Sequence, residues 1–282
     1  MIMLLSKIKS LLVFMAIALN ACTEKSETIV PNPTQPIVDK NWQFEATPVW
    51  EENFDGTTVN TAKWSYEIGG SGWGNNELQY YTPGNNATVS NGMLNIIAKK
   101  ETFQGSQYTS TRLISKGKGD WTYGRFEIRA KLPRGRGTWP AIWMLYTDAT
   151  YGQWPASGEI DIMEHVGFDA EKIHASVHTS AYNHTRGTQK TASLLTPGAT
   201  TDFQVYRVDW TPFSVRGFIN NVQYFEFKNE NTGFAAWPFN KNFHLLLNLA
   251  VGGNWGGAQG IDNTVFPATL SIDYVRVYKL IP

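Results

Sequence analysis

The stretch that decides the fold is Arg125-Phe126-Glu127-Ile128-Arg129-Ala130-Lys131-Leu132, in which polar and apolar residues alternate without a break. Successive side chains of a β-strand point to opposite faces, so this pattern predicts a strand with one buried face and one solvated face. The same alternation recurs over residues 206–210 and 272–278. Asn220-Asn221 separates two further apolar runs and suits a two-residue hairpin turn, because asparagine tolerates positive φ.

Short alternating runs of this kind fill the chain from residue 42 onward, with Gly, Asn, Pro and Ser between them and no long helical period. Strands at this density without intervening helices predict an all-β fold, in which antiparallel sheets pack as a β-sandwich or jelly roll. A chain of 282 residues has room for one large domain of this type, which we expect at residues 41–282.

The charge balance and the aromatic content favour a neutral polymer as the ligand. Twenty-four basic and 24 acidic residues cancel, so no nucleic acid and no anionic membrane surface is expected as a partner. The chain has 11 Trp residues, whose rings serve either as core or as flat faces for sugars. We expect a monomer.

The N-terminus predicts an export signal that ends in a lipid anchor. Two lysines precede an apolar run over residues 11–19, and Cys22 follows a small-residue cleavage site. The run is shorter than the roughly 20 residues that a membrane-spanning helix needs. We expect a lipoprotein signal peptide at 1–21, lipidation of Cys22, and a proline-punctuated tether at 22–40. The protein would be exported and would contact the membrane only through lipid, at the outer membrane, facing the periplasm or the medium.

Three acids form the candidate catalytic strand. It reads Gly158-Glu159-Ile160-Asp161-Ile162-Met163-Glu164-His165. Residues two apart in a strand share a face, so Glu159 and Asp161 point together, but regular alternation would turn Glu164 into the core. An unpaired carboxylate there is very costly. We therefore predict a β-bulge at Ile162-Met163, which adds one residue and returns Glu164 to the face of Glu159.

The predicted bulge also sets the spacing of the two glutamates. Strand rise places Glu159 and Glu164 about 6 to 7 Å apart at the backbone. That value approaches the roughly 5 to 5.5 Å between the carboxyl groups of retaining glycosidases and favours double displacement. Asp161 between them would help to separate their pKa values. A solvated acidic strand face and a calcium site are the alternative interpretations of the three acids.

Five segments between about residues 49 and 278 carry a family resemblance. They are EIDIME at 159–164, WGNNELQYY at 73–81, YGRFE at 123–127, GTWPAIWML at 137–145 and DYVRVY at 273–278. Together they resemble glycoside hydrolase family 16, in its laminarinase-like branch of endo-β-1,3-glucanases. The resemblance implies a concanavalin-like jelly roll of two curved antiparallel sheets, a substrate cleft on the concave face, and endo-acting, retaining hydrolysis of β-1,3-glucan without a catalytic cofactor.

The resemblance also implies roles for individual residues. Glu159 matches the nucleophile, Asp161 the assisting acid and Glu164 the acid/base. Residues on both sides of the acids match groups that contact or border the bound sugar, namely Trp139, Trp143, Asn75, Arg112 and His178. Independently of the family, the glycine-rich segment at 252–257 suits a flexible loop that would place Trp255 on a sugar.

A structural calcium ion on the convex side is a further implication of the resemblance. Its ligands would be the Asp273 carboxylate and a backbone carbonyl near Gly92. The chain departs from the family pattern at Asn53, where a glutamate is usual. An amide oxygen still suits a hard cation, but it brings less charge.

Other functions remain open at this point. The same mechanism would serve a mixed-linkage β-glucan or, as in agarase-like relatives, a galactan. A non-catalytic sugar-binding module could use the same sandwich, but it would need neither Glu159 nor Glu164. His174 and His178 have the spacing of a helical zinc pair, yet the H-E-x-x-H glutamate is missing and the local pattern is that of a strand, which argues against metal catalysis.

Overall fold

A computed structural model describes residues 38–281, which form twenty strands and two short 3₁₀ helices. The predictions for the signal peptide, for Cys22 and for most of the tether concern residues 1–37 and lie outside the described residues. Between residues 38 and 281, no helix is both long enough and apolar enough to cross a bilayer.

The strands are short to medium in length and are numbered in chain order. They are β1 (Gln43–Phe44), β2 (Trp50–Glu52), β3 (Ser65–Glu67), β4 (Gln79–Tyr81), β5 (Ala87–Ser90), β6 (Met93–Ala98), β7 (Tyr108–Ser110), β8 (Arg112–Ile114), β9 (Asp120–Trp121), β10 (Gly124–Lys131), β11 (Thr138–Tyr146), β12 (Glu159–Glu164), β13 (Lys172–His178), β14 (Lys190–Leu195), β15 (Gln204–Trp210), β16 (Ser214–Ile219), β17 (Val222–Lys228), β18 (Phe243–Val251), β19 (Ala268–Tyr278) and β20 (Leu280–Ile281). The 3₁₀ helices are His184–Arg186 and Asn263–Val265.

Two eight-stranded antiparallel sheets make up the sandwich. The first has the order β17-β16-β15-β10-β19-β6-β5, and β2 also pairs with β19. The second has the order β14-β13-β12-β11-β18-β8-β3, and β9 also pairs with β18. Two small sheets, β1-β20 and the parallel pair β4-β7, complete the fold. The predicted all-β sandwich is confirmed.

Strand β10 shows why this sequence forms these sheets. Phe126, Ile128 and Ala130 are fully buried, and the residues between them are half-buried, as the alternation predicted. The predicted hairpin is also present, because Ile219 pairs with Val222 across a two-residue turn. Asn220 and Asn221 adopt φ values of 48° and 67° in that turn, a conformation that asparagine accepts at low cost.

A single large apolar cluster fills the space between the sheets. The first sheet contributes side chains such as Leu94, Phe126 and Val275, all fully buried. Strands β11, β12 and β18 contribute Ile142, Ile160, Leu245 and others from the second sheet. Because side chains alternate along each strand, the opposite face of the second sheet is free to carry a cleft.

Candidate active site

The predicted β-bulge lies in strand β12. On the β11 side, Trp143 pairs with Asp161 and Ile142 pairs with Met163, which leaves Ile162 as the extra residue. The pairing with β13 shifts at the same place, between Asp161 and Glu164. The bulge at Ile162-Met163 is therefore confirmed.

The bulge determines where the acids point. Ile162 and Met163 are both buried in the core, at 1% and 0% exposure. Glu159, Asp161 and Glu164 instead line one cleft on the outer face of the second sheet. The side chains of Ile162 and Met163 both point into the core, so Glu164 lies on the same face of the strand as Glu159.

Each glutamate accepts a hydrogen bond from a different indole. Trp154 Nε1 donates to Glu159 Oε2 at 2.7 Å, and Trp139 Nε1 donates to Glu164 Oε1 at 3.1 Å. An N–H donor stabilises the ionised carboxylate and orients it. The two glutamates are therefore held at fixed positions from opposite sides.

His178 lies beside Asp161 and Glu159 in the row of acids. Its Nε2 lies 3.2 Å from Asp161 Oδ2 and 3.9 Å from Glu159 Oε1. Asp161 and His178 are 3% and 5% exposed, so both are almost removed from water. His178 therefore lies beside two of the acids, and its predicted contact with sugar stays a prediction.

Burial dominates the electrostatics of the row. Desolvation, and then the neighbouring Asp161, raises the pKa of Glu159 to about 8. Desolvation, and then Glu159, raises the pKa of Glu164 to about 7. The pKa of Asp161 is also raised, by burial and by Glu164. Burial and mutual repulsion therefore oppose ionisation of all three acids together, and glycoside cleavage requires one proton donor and one carboxylate in such a row.

The cleft wall next to the acids is built from an arginine between two indoles. The Arg112 guanidinium lies 4.8 Å from the Trp73 ring centroid and 4.9 Å from that of Trp143. Its Nε also donates to Glu67. Trp143 Nε1 donates to Asn248 Oδ1 at 2.7 Å, which fixes its ring. Arg112 thus lines the cleft with its guanidinium close to both aromatic rings, and its predicted contact with sugar stays a prediction.

Trp139 and Trp255 lie side by side near Glu164. Trp139 lines the cleft at 9% exposure and donates its indole N–H to Glu164, and its predicted contact with sugar stays a prediction. Trp255 packs edge-on against Trp139 at 5.7 Å and against His174 at 5.0 Å. Trp255 is half-buried and is not among the residues that line the cleft around the acids, and its predicted contact with sugar stays a prediction.

Asn75 lines the cleft as predicted, and the sequence analysis missed several of its neighbours. Trp154 and His184 border the space beside Glu159. Glu77 adds a fourth carboxylate, which accepts hydrogen bonds from Gln79 at 2.6 Å and from Tyr81 at 3.2 Å. Burial raises its pKa. Trp154 gave no periodic signal, whereas Glu77 stood in the quoted 73–81 segment and was identifiable there as a buried acid.

The predicted calcium ligands lie together on the side of the first sheet. Asn53, Gly92 and Asp273 line one pocket, together with Arg129 and Arg276. Arg129 already pairs with the Asp273 carboxylate, and Arg276 Nη2 lies 3.5 Å from Asn53 Oδ1. In this arrangement the residues fit a calcium ion poorly, because two guanidinium groups occupy the oxygen atoms that the cation needs.

A β-sandwich whose outer face holds a row of convergent, buried acids in an aromatic-walled cleft defines a glycoside hydrolase. Residues 74–276 match the family described as glycosyl hydrolases family 16. A β-glucanase from Rhodothermus marinus is 54% identical over 241 residues, covering 82% of this chain and 84% of that protein.

Two further comparisons add a solved structure and another similar protein. The solved structure of the laminarinase from Rhodothermus marinus is 51% identical and has a TM-score of 0.83, covering 86% of this chain and 99% of that chain. A glucan endo-1,3-β-glucosidase from Cryptopygus antarcticus is 36% identical, covering 80% of this chain and 90% of that protein. The chain belongs to glycosyl hydrolase family 16.

Proposed function

We propose that this protein hydrolyses β-1,3-glucan of the laminarin type within the chain and with retention of configuration. The observation that carries the proposal is the bulge at Ile162-Met163, which places Glu159, Asp161 and Glu164 in one cleft. The names of the similar proteins, a β-glucanase, a laminarinase and a glucan endo-1,3-β-glucosidase, support the substrate.

The reaction proceeds in two displacements. Glu159 attacks the anomeric carbon while Glu164 gives its proton to the departing glycosidic oxygen. Glu164 then takes a proton from water, the water oxygen attacks the same carbon, and Glu159 leaves. Asp161, between the two, moderates the charge on Glu159 and shares hydrogen bonding with it.

The cleft walls suit cleavage inside a polymer. Trp139 and Ala250 line the cleft on the Glu164 side, and Trp154 and His184 line it on the Glu159 side. A glucan chain can therefore lie across the acids and extend past them in both directions. Rings and polar groups on each side provide the mixture of apolar and hydrogen-bonding surface that sugars require.

The test is a substrate panel with product sizing. The purified protein is incubated with laminarin, lichenan, agarose and carrageenan, and the first products are sized and examined by proton NMR. We expect laminarin to be degraded fastest, a mixture of oligosaccharides to appear early, and the first-formed anomer to be β. Cleavage of a galactan alone, or an α-anomer as first product, would contradict the proposal.

We also propose that the protein is exported and lipid-anchored at Cys22, and that it acts as a monomer at the cell envelope. The apolar run and the single cysteine after a small-residue site support the anchor.

A further inference from the structure

We propose that Glu159, Asp161 and His178 also form a binding site for a transition-metal dication such as Zn²⁺, which would block the catalytic centre. One ligand atom from each of these residues lies within 4.8 Å of the other two. Occupancy by a metal would inhibit the enzyme reversibly, because the metal would hold the carboxylate that attacks the sugar. The site is distinct from the calcium position on the other sheet.

The distances fit a small tetrahedral ion. Zn²⁺ binds nitrogen and carboxylate oxygen at about 2.0 to 2.2 Å, so its ligand atoms stand about 3.3 to 3.6 Å apart. His178 Nε2 lies 3.2 Å from Asp161 Oδ2 and 3.9 Å from Glu159 Oε1. Both distances from His178 therefore lie within a few tenths of an ångström of the tetrahedral values.

The two oxygens of Glu159 are already divided between different partners. Oε2 accepts the hydrogen bond from Trp154 Nε1 at 2.7 Å, whereas Oε1 is the atom that faces His178. The Trp154 hydrogen bond would thus act as an outer support that orients a metal-binding carboxylate. The metal and the indole do not compete for the same atom.

Asp161 supplies the second observation that points to a ligand. Its side chain is 3% exposed, and its Oδ2 has no hydrogen-bond partner among the described residues although it is aimed at His178. A buried, unpaired carboxylate oxygen is costly, and a cation beside it removes that cost. His178, at 5% exposure, is almost as deeply buried.

The donor set selects the class of metal. One imidazole and two carboxylates leave a fourth position for water, which is the ligand number of an open zinc site. Divalent copper should bind such a set more tightly than zinc. Mg²⁺ and Ca²⁺ prefer six or more oxygen ligands and should bind weakly.

The experiment is calorimetric titration of the full chain with ZnCl₂, with MgCl₂ as the control metal. We expect one Zn²⁺ per chain, at least tenfold weaker binding in Glu159→Gln and in His178→Asn, and unchanged binding in His184→Asn. His184 is the matched control because its ring lies 5.2 Å from that of His178 and it is outside the triad. Unchanged binding in Glu159→Gln, or equal losses in the two histidine variants, would overturn the assignment.

Inhibition kinetics provide an independent test of the proposed metal site. With laminarin as substrate, Zn²⁺ should raise KM without lowering kcat at saturation, and EDTA should restore the rate. A lack of laminarin hydrolysis would count against the proposed function alone, since the titration measures metal binding without any turnover. No binding of Zn²⁺ by wild type would overturn the metal site alone.

Discussion

Trp139 donates its indole N–H to Glu164 across 3.1 Å, and this bond ties the central strand β11 to the proposed acid/base on β12. Ala141 pairs with Glu164 across the two strands. Trp139 precedes Ala141 by two residues in β11, so its side chain lies on the same face of the sheet. Trp154 makes the equivalent bond to Glu159 from a different segment. The two glutamates can therefore be perturbed one at a time.

The first prediction separates the two proposed catalytic roles by chemical rescue. Glu159→Gly and Glu164→Gly should each lower turnover on an activated β-glucoside by several orders of magnitude, because each removes one half of a two-step mechanism. Azide should restore both. It should give the α-glycosyl azide with Glu159→Gly, by direct displacement, and the β-glycosyl azide with Glu164→Gly, by attack on the covalent intermediate. Glu51→Gln, on the exposed part of β2, is the control and should behave as wild type.

The second prediction concerns the hydrogen bond from Trp139. Trp139→Phe keeps an aromatic ring but removes a donor that lowers the pKa of Glu164. Glu164 must be protonated to act as the acid, so the alkaline limb of the kcat/KM profile should move to higher pH. Trp143→Phe is the matched control, since the Trp143 N–H is bonded to Asn248 and to neither acid. An unmoved alkaline limb in Trp139→Phe would show that the bond does not reach the reaction.

The third prediction concerns the acid limb of the kcat/KM profile and the hydrogen bond from Trp154. Trp154→Phe removes a donor that lowers the pKa of Glu159. Glu159 must be ionised to attack, so the acid limb of the same profile should move to higher pH, while the alkaline limb stays in place. A shift of the alkaline limb alone would reverse the proposed roles of the two glutamates.

The fourth prediction is a loss of stability as the pH rises. The pKa values of Glu159 and Glu164 rise from the ordinary 4.5 to about 8 and about 7 in the folded protein. Between pH 4.5 and 8 the folded state therefore binds more protons than the unfolded chain, and stability falls as the pH increases. Glu159→Gln should melt a few degrees above wild type at pH 8 and close to it at pH 4.5, as measured by calorimetry. A difference that is the same at both pH values would contradict this origin.

The fifth prediction concerns calcium. Because Arg129 already pairs with Asp273, we expect CaCl₂ to change the melting temperature of the EDTA-treated protein only slightly. Asn53→Glu restores the carboxylate that is usual in the family and should make the melting temperature clearly calcium-dependent. A large calcium effect in wild type would show that the cation displaces the Arg129 guanidinium.

Much of the site could be predicted from the sequence, because the positions of the acids depend on the local geometry of one strand. The row of acids and the bulge at Ile162-Met163 follow from strand alternation and from the cost of burying Glu164. Trp154 could not be found in this way. It lies in a loop five residues before Glu159, and only the path of that loop brings its N–H to the carboxylate.

The sequence by itself determined the all-β sandwich, the family and the row of three acids, since alternation and motif order are properties of neighbouring residues. Only the tertiary structure decided what surrounds those acids. It brought the Trp139 indole N–H to Glu164, packed Trp255 edge-on against Trp139, and placed Arg129 against Asp273. Contacts of this kind join segments far apart in the chain, and their outcome depends on which side chain fills the available volume best.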